Sequence, residues 1–233
     1  MSRGTSILAN YTWAHCISDL WNGQPGNNGV STATPRNRRA DRSNCAPNGV
    51  GSDVRHQFNL SVIAQTPKFE NRRLNMFAGN WQFSPIVKIR SGNFFTVTTG
   101  TDVALNGQQG QRASLVNPDA IYPETKTINN YINRSAFANP APGTLGNLAP
   151  SNILGPGMIQ VDLSVARTFQ VRERQSFQLR GEAFNLPNHF NPANPVSALN
   201  SQQFGQIQSD ISGTSGLSPG NQRILQLALK YVF

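Results

Sequence analysis

The strongest constraint in this chain is an alternation of apolar and polar residues with a period of two, which returns in six separate stretches. It runs through Ile7, Ala9, Tyr11 and Trp13. In residues 54–65, Phe58, Leu60, Val62 and Ala64 alternate with Arg55, Gln57, Asn59 and Ser61. Trp81, Phe83, Val87 and Ile89 alternate with Gln82, Ser84, Lys88 and Arg90. Val161, Leu163 and Val165 flank Asp162 and Ser164, and Phe177, Leu179 and Ala183 flank Gln178, Arg180 and Glu182. The last run is Leu225, Leu227, Leu229, Tyr231 and Phe233. Successive side chains of a strand point to opposite faces, so each run is a strand with one greasy and one polar face. No stretch carries a capped apolar stripe of period 3.6. The expected fold is all-β, with six long antiparallel strands.

The connections sort into two kinds. Thr66–Arg73 joins strands two and three, and residues 170–174 join strands four and five, as short polar turns. The other three, roughly 16–53, 91–157 and 185–222, are long and rich in Asn, Gly, Pro and Ser. Loops of this length argue against a compact soluble domain. Short turns at one end and long loops at the other match an outer-membrane β-barrel, with periplasmic turns and extracellular loops. Lipid leaves no water for backbone groups, so only closed barrels carry strands across it. The apolar face then meets lipid. Arg55, Lys88, Arg90, Asp162, Arg180 and Glu182 become lumen-facing candidates. A β-sandwich gives the same alternation with inside and outside exchanged. The alternative is therefore a secreted or surface sandwich that binds glycan through its Asn- and Gly-rich loops.

The chain has 233 residues, with 20 Lys and Arg against 11 Asp and Glu, a net charge of +9. Charged residues are only 13%, too few for a coiled coil or a charge-rich disordered segment. No apolar run approaches the roughly 18 residues of a membrane-spanning helix. Residues 1–7 lack the apolar segment of a secretory signal. Arg36, Arg38, Arg39 and Arg42 form a basic cluster. No recognition helix, zinc site or RNA-binding aromatic motif accompanies it, so nucleic acid is not an expected partner. It reads instead as a solvated loop, or one that meets an anionic surface.

Enzymatic chemistry is not expected. The chain lacks a Gly-x-Ser-x-Gly elbow, a His-Glu-x-x-His motif and a Walker loop. Asp162 and Glu182 fall on neighbouring strands, where an ion-pair ladder with Arg180 accounts for them. His15, His56 and His189 pair with no carboxylate at ligand spacing, and neither a cofactor nor a metal is implied. Cys16 and Cys45 are the only cysteines; they are two unrelated thiols or, in an oxidising compartment, a disulfide pinning one long loop. Isolated glycines such as Gly205 read as turn residues. Trp13, Trp81, Phe94, Phe184, Tyr231 and Phe233 fall near strand ends, where aromatics form interfacial girdles. The five alternating positions from Leu225 to Phe233, ending on an aromatic, resemble the signal read by the outer-membrane barrel assembly machinery.

Several segments also resemble Oar-like TonB-dependent transporters of acidobacterial type. They are residues 91–102, Ala136-Phe137, residues 142–147, and Gly155-Pro156-Gly157 with Val161-Asp162-Leu163-Ser164. Arg180-Gly181-Glu182-Ala183-Phe184-Asn185-Leu186, Asn188-His189, Phe204-Gly205-Gln206-Ile207 and residues 223–230 continue the likeness in order. The resemblance implies a carboxypeptidase-regulatory-like domain, a plug and a 22-stranded barrel, of which residues 1–233 match the last six strands. It implies outer-membrane lipid, the assembly machinery and the rest of the barrel and plug as partners, with TonB reached only through the plug. On this reading Met1 is an internal start, and the missing signal belongs to a longer protein of the outer membrane. Pro187 departs from the family, which has an aromatic there. Pro85 interrupts the third strand, where its missing N–H predicts a bulge or a local break.

Overall fold

The computed structural model describes residues 4–18, 38–45, 53–107, 109, 111–172, 175–211 and 222–233. Its strands are β1 (Thr5–Trp13), β2 (Ile17–Ser18), β3 (Ser43–Asn44), β4 (His56–Gln65), β5 (Trp81–Arg90) and β6 (Phe94–Phe95). They continue as β7 (Ser114–Leu115), β8 (Phe137–Ala138), β9 (Ile153–Leu154), β10 (Met158–Arg172), β11 (Gln175–Phe184) and β12 (Ile224–Val232). Two short helices are α1 (Arg38–Asp41) and α2 (Arg72–Ala78).

The six long strands form one antiparallel sheet in the order β1-β4-β5-β10-β11-β12. The sheet is open: β1 and β12 are its edges and do not pair with each other. The ladders keep the phase of the alternation, apart from a register shift between Gln170 and Arg172 at the end of β10. Ala9, Leu60, Val87 and Val161 lie in one row across four strands. Leu163, Ala183 and Leu225 continue the same face across β10, β11 and β12. A slip of one residue in any pairing would have exchanged the two faces.

Pro85 breaks one ladder and leaves the other intact. Between β4 and β5, the pairs Ser61↔Ile86 and Ala64↔Phe83 hold the same register, with no pairing between them. The missing Val62–Pro85 and Ile63–Ser84 pairs both need the bond that a residue-85 N–H would give the Val62 carbonyl. On the other side, Pro85 pairs with Leu163. The outcome is a local break without a bulge.

Among the described residues, the buried apolar residues lie mostly in the long connections; on the long strands only Met158 and Ala166 of β10 are buried. Phe95, Val97, Ala113, Ile132, Phe137, Leu148, Ile153, Leu199 and Ile207 pack together as one core. The sheet's apolar face is bare by contrast, with Leu227 83% exposed against 0% for Val97. The connections from β5 to β10 and from β11 to β12 thus fold into a cap at the end of the sheet where β5 and β11 finish. Backbone bonds join them: Thr98 N–H to Ser197 O at 2.9 Å, Tyr131 N–H to Gly205 O at 2.8 Å and Ile207 N–H to Ile128 O at 2.8 Å. Gly205 has φ +81°, and a Cβ there would lie 2.4 Å from the Ile132 carbonyl oxygen. Gly92 is required for a second reason, since its Cβ would meet the Gly155 carbonyl oxygen at 1.9 Å. The glycines are points of close backbone approach as much as turn residues.

At the opposite end, the turn expected over Thr66–Arg73 is longer and contains α2. Asn71 caps the helix, its side chain accepting from the N–H groups of Arg73 and Leu74. The helix is seven residues long, too short for a 3.6-residue stripe to register against the surrounding alternation.

Candidate functional site

The sheet presents two surfaces of opposite chemistry. On the apolar surface, Leu225, Leu227, Leu229, Tyr231 and Phe233 are all exposed, with Ile7, Tyr11 and Trp13 at the other edge. Tyr231 packs on Phe177 with ring centroids 4.7 Å apart, and on Phe233 at 5.8 Å. Trp81 opens β5 at the same end, and Trp13 closes β1 at the cap end. Phe94 lies off the sheet in β6, and Phe184 takes the phase of the polar face.

The polar surface carries rows of amides and charges. Asn59 donates to Asn10 at 2.9 Å, and Lys88 stands opposite Asn59 and Gln160. Arg180 and Glu182 approach to 3.6 Å, and Ser164 hydroxyl donates to Glu182 at 3.5 Å. Asp162 lies outside that pair. It accepts from Gln160 at 2.8 Å and from the Asn185 N–H at 2.9 Å, which ties the sheet to the turn after β11. Asn185 and Asn188 hold φ +50° and +54° there, values that Asn tolerates better than most residues. Lys88, Arg90, Asp162, Arg180 and Glu182 therefore share the polar face. Arg55 does not join them. It precedes β4 and turns into the loops, bonding Asp53 at 2.7 Å and Asn44 at 2.6 Å, with its guanidinium 5.1 Å from the Phe94 ring.

The first long connection is fastened to the cap. Cys16 and Cys45 form a disulfide with a Cα separation of 5.4 Å, beside the paired β2 and β3. Asp41, at the end of α1, makes a buried 3.1 Å ion pair with Arg112. Asn44 donates to the Ser151 carbonyl at 3.0 Å. Of the basic cluster, Arg39 and Arg42 are exposed, while Arg36 lies outside the described residues. Burial pushes the Tyr131 hydroxyl up to about 12, with nearby Tyr122 adding to the shift. Tyr122 is raised by burial too, less the effect of the hydrogen bond that its hydroxyl oxygen accepts from the Leu154 N–H at 3.0 Å. Lys126 stands 3.7 Å from the Tyr122 ring centre. At Asp102, desolvation pushes the carboxyl up, and bonds from the N–H groups of Gly107 and Asn106 and from Gln111 outweigh it and hold it low. Among the described residues, no three His, Cys, Asp or Glu side chains gather as a metal site.

An open antiparallel sheet with one continuous uncovered apolar face, and long loops gathered at one end, is the wall geometry of a membrane barrel. The model of the outer membrane beta barrel domain family matches residues 1–226. The chain belongs to that family. No curated protein and no solved structure matches it. As an outer-membrane β-barrel domain, it presents three surfaces: the exposed apolar rows, the polar rows opposite them and the loop cap. Sequence reasoning found the first two through the period of two. It missed the cap and the Asp41–Arg112 pair, because residues far apart in sequence and without periodicity build them. It also missed Arg167, which occupies the apolar face between Trp81 and Leu179.

Proposed function

We propose that this chain forms six consecutive wall strands and the outer cap of an Oar-like TonB-dependent transporter, taking a scarce ligand across the outer membrane. The observation that carries the reading is the pair of free edges. Among the described residues, β1 and β12 have full-length apolar faces and lack an outer neighbour, and lipid does not satisfy the N–H and C=O groups of such an edge. Six strands are fewer than the roughly eight of the smallest membrane barrels, and a plugged transporter has about 22. Further strands beyond β1 and β12 would close the wall. The polar rows of Lys88, Arg90, Asp162, Arg180 and Glu182 would then face a wide lumen and its plug.

In this role the chain is not an enzyme and needs no cofactor. Its partners are outer-membrane lipid, the barrel assembly machinery acting on the Leu225–Phe233 segment, and the remaining barrel and plug. TonB acts only through the plug, and nucleic acid is no partner. The sandwich reading loses ground because, among the described residues, no second sheet covers the apolar face.

The test is uptake by cells that express the longest reading frame containing these residues. Accumulation of a scarce nutrient that stops when TonB is deleted supports transport. A TonB-independent ion conductance would point to a passive pore, and a detergent-free soluble monomer would favour the glycan-binding sandwich.

A further inference from the structure

Arg167 sits on the lipid-facing surface, where a charge is costly at mid-membrane and tolerated near the interface. Its guanidinium lies 5.1 Å from the Trp81 ring and 4.7 Å from the Phe169 ring, and it donates to the Met76 carbonyl in α2. From Ile159 to Phe169 there are ten residue steps on this face. At about 3.4 Å per step and a tilt of about 40°, they rise about 26 Å, the height of a barrel's apolar band at about 25 Å. Arg167 and its two aromatic neighbours thus mark the lower rim of that band. They also fix α2 at the rim.

The helix is built for that level. At about 100° per residue, Asn75 and Ala78 face inward, and Asn75 accepts from the Phe69 N–H. The outer arc carries Arg72, Met76, Arg73, Phe77 and Leu74 in angular order, all exposed. Phe77 is 71% exposed, an unusual state for an apolar residue in a short helix. Lys68 and Arg172 are exposed nearby, and Glu70 is the only acid in residues 66–80.

We propose that α2 is a lipid-surface anchor at the short-turn rim, its apolar side chains in the headgroup boundary and Lys68, Arg72 and Arg73 on the phosphates of anionic phospholipids. Charge complementarity and continuity with the lipid-facing rows select this occupant. Mixed basic and apolar side chains on one arc suit an interface, where long cationic stems lie along apolar surface and their heads reach phosphate. The proposal rests on the family's outer-membrane placement and is independent of what is transported.

The experiment places a fluorophore at Met76→Cys, and separately at Leu227→Cys, in the protein assembled in bilayers with brominated lipid. One bilayer is phosphatidylcholine and the other holds one quarter phosphatidylglycerol. Leu227 should be quenched in both. Met76 should be quenched by shallow bromines, at least twofold more strongly with phosphatidylglycerol. That gain should vanish in the triple variant Lys68→Gln, Arg72→Gln, Arg73→Gln, and in 1 M salt. Quenching at Leu227 without quenching at Met76 overturns the anchor, leaves the wall standing and redirects α2 to water or a protein. Met76 quenching indifferent to phosphatidylglycerol overturns the phosphate contact. Absence of quenching at both positions overturns the membrane placement itself.

Discussion

At the scale of single residues, position on a face matters more than residue type. On the proposed placement Leu227 lies near the middle of the lipid-facing band, so Leu227→Arg should cost roughly 2–4 kcal/mol. Gln226 lies opposite Glu182 on the polar face, so Gln226→Arg should cost less than about 1 kcal/mol. Denaturant titration of the folded barrel in detergent measures both, and equal losses would reverse the assignment of faces. In the cap, Tyr131 is raised to about 12, against an ordinary value near 10. Its neutral form is the favoured one, so its contribution to stability is complete below about pH 10. It is lost as pH rises through about 12. Difference absorbance at 295 nm between the wild type and Tyr131→Phe should show a step near pH 12; a step near pH 10 would mean that the hydroxyl is solvated.

At the scale of elements, the long strands were legible because a sheet with two unlike faces imposes its period on every residue. β10 illustrates the limit. The alternation at Val161–Val165 reveals only part of a strand that runs from Met158 to Arg172, because Ala166 and Arg167 interrupt the pattern. The cap was illegible for a different reason: its core draws single residues from distant loops, and only the folded chain brings Val97, Ile132 and Leu199 together. The Cys16–Cys45 bridge was open in sequence because spacing alone does not fix pairing. At a separation of 29 residues, it should constrain the unfolded chain by about 3–4 kcal/mol in the entropic model. Cys45→Ser should therefore make the 14–55 connection the first segment cut by protease. Pro85 offers an element-scale test. Pro85→Val supplies the missing N–H, and one restored ladder bond contributes about 0.5–1.5 kcal/mol. The residue-85 N–H should then exchange slowly, like its neighbours in the ladder; fast exchange there would mean that the gap has another cause.

At the scale of the whole molecule, the sheet is open and bare where the cap is packed. Residues 1–233 expressed alone with an added signal sequence should not yield a working transporter, because each orphan edge group costs roughly several kcal/mol in hydrocarbon. A monomeric, heat-modifiable band that takes up substrate would refute this. The division between a bare wall and a packed cap also bears on how such a chain drifts over time. Lipid is a solvent without shape, so Leu227 can become any apolar residue that keeps its face. Val97 and Ile132 are enclosed by neighbours whose outlines they must match, and the backbone contacts at Gly92 and Gly205 leave no room for a methyl group. Variation should accumulate in the strands and be purged from the connections between them, the reverse of the pattern in a soluble fold, where strands hold still and loops wander.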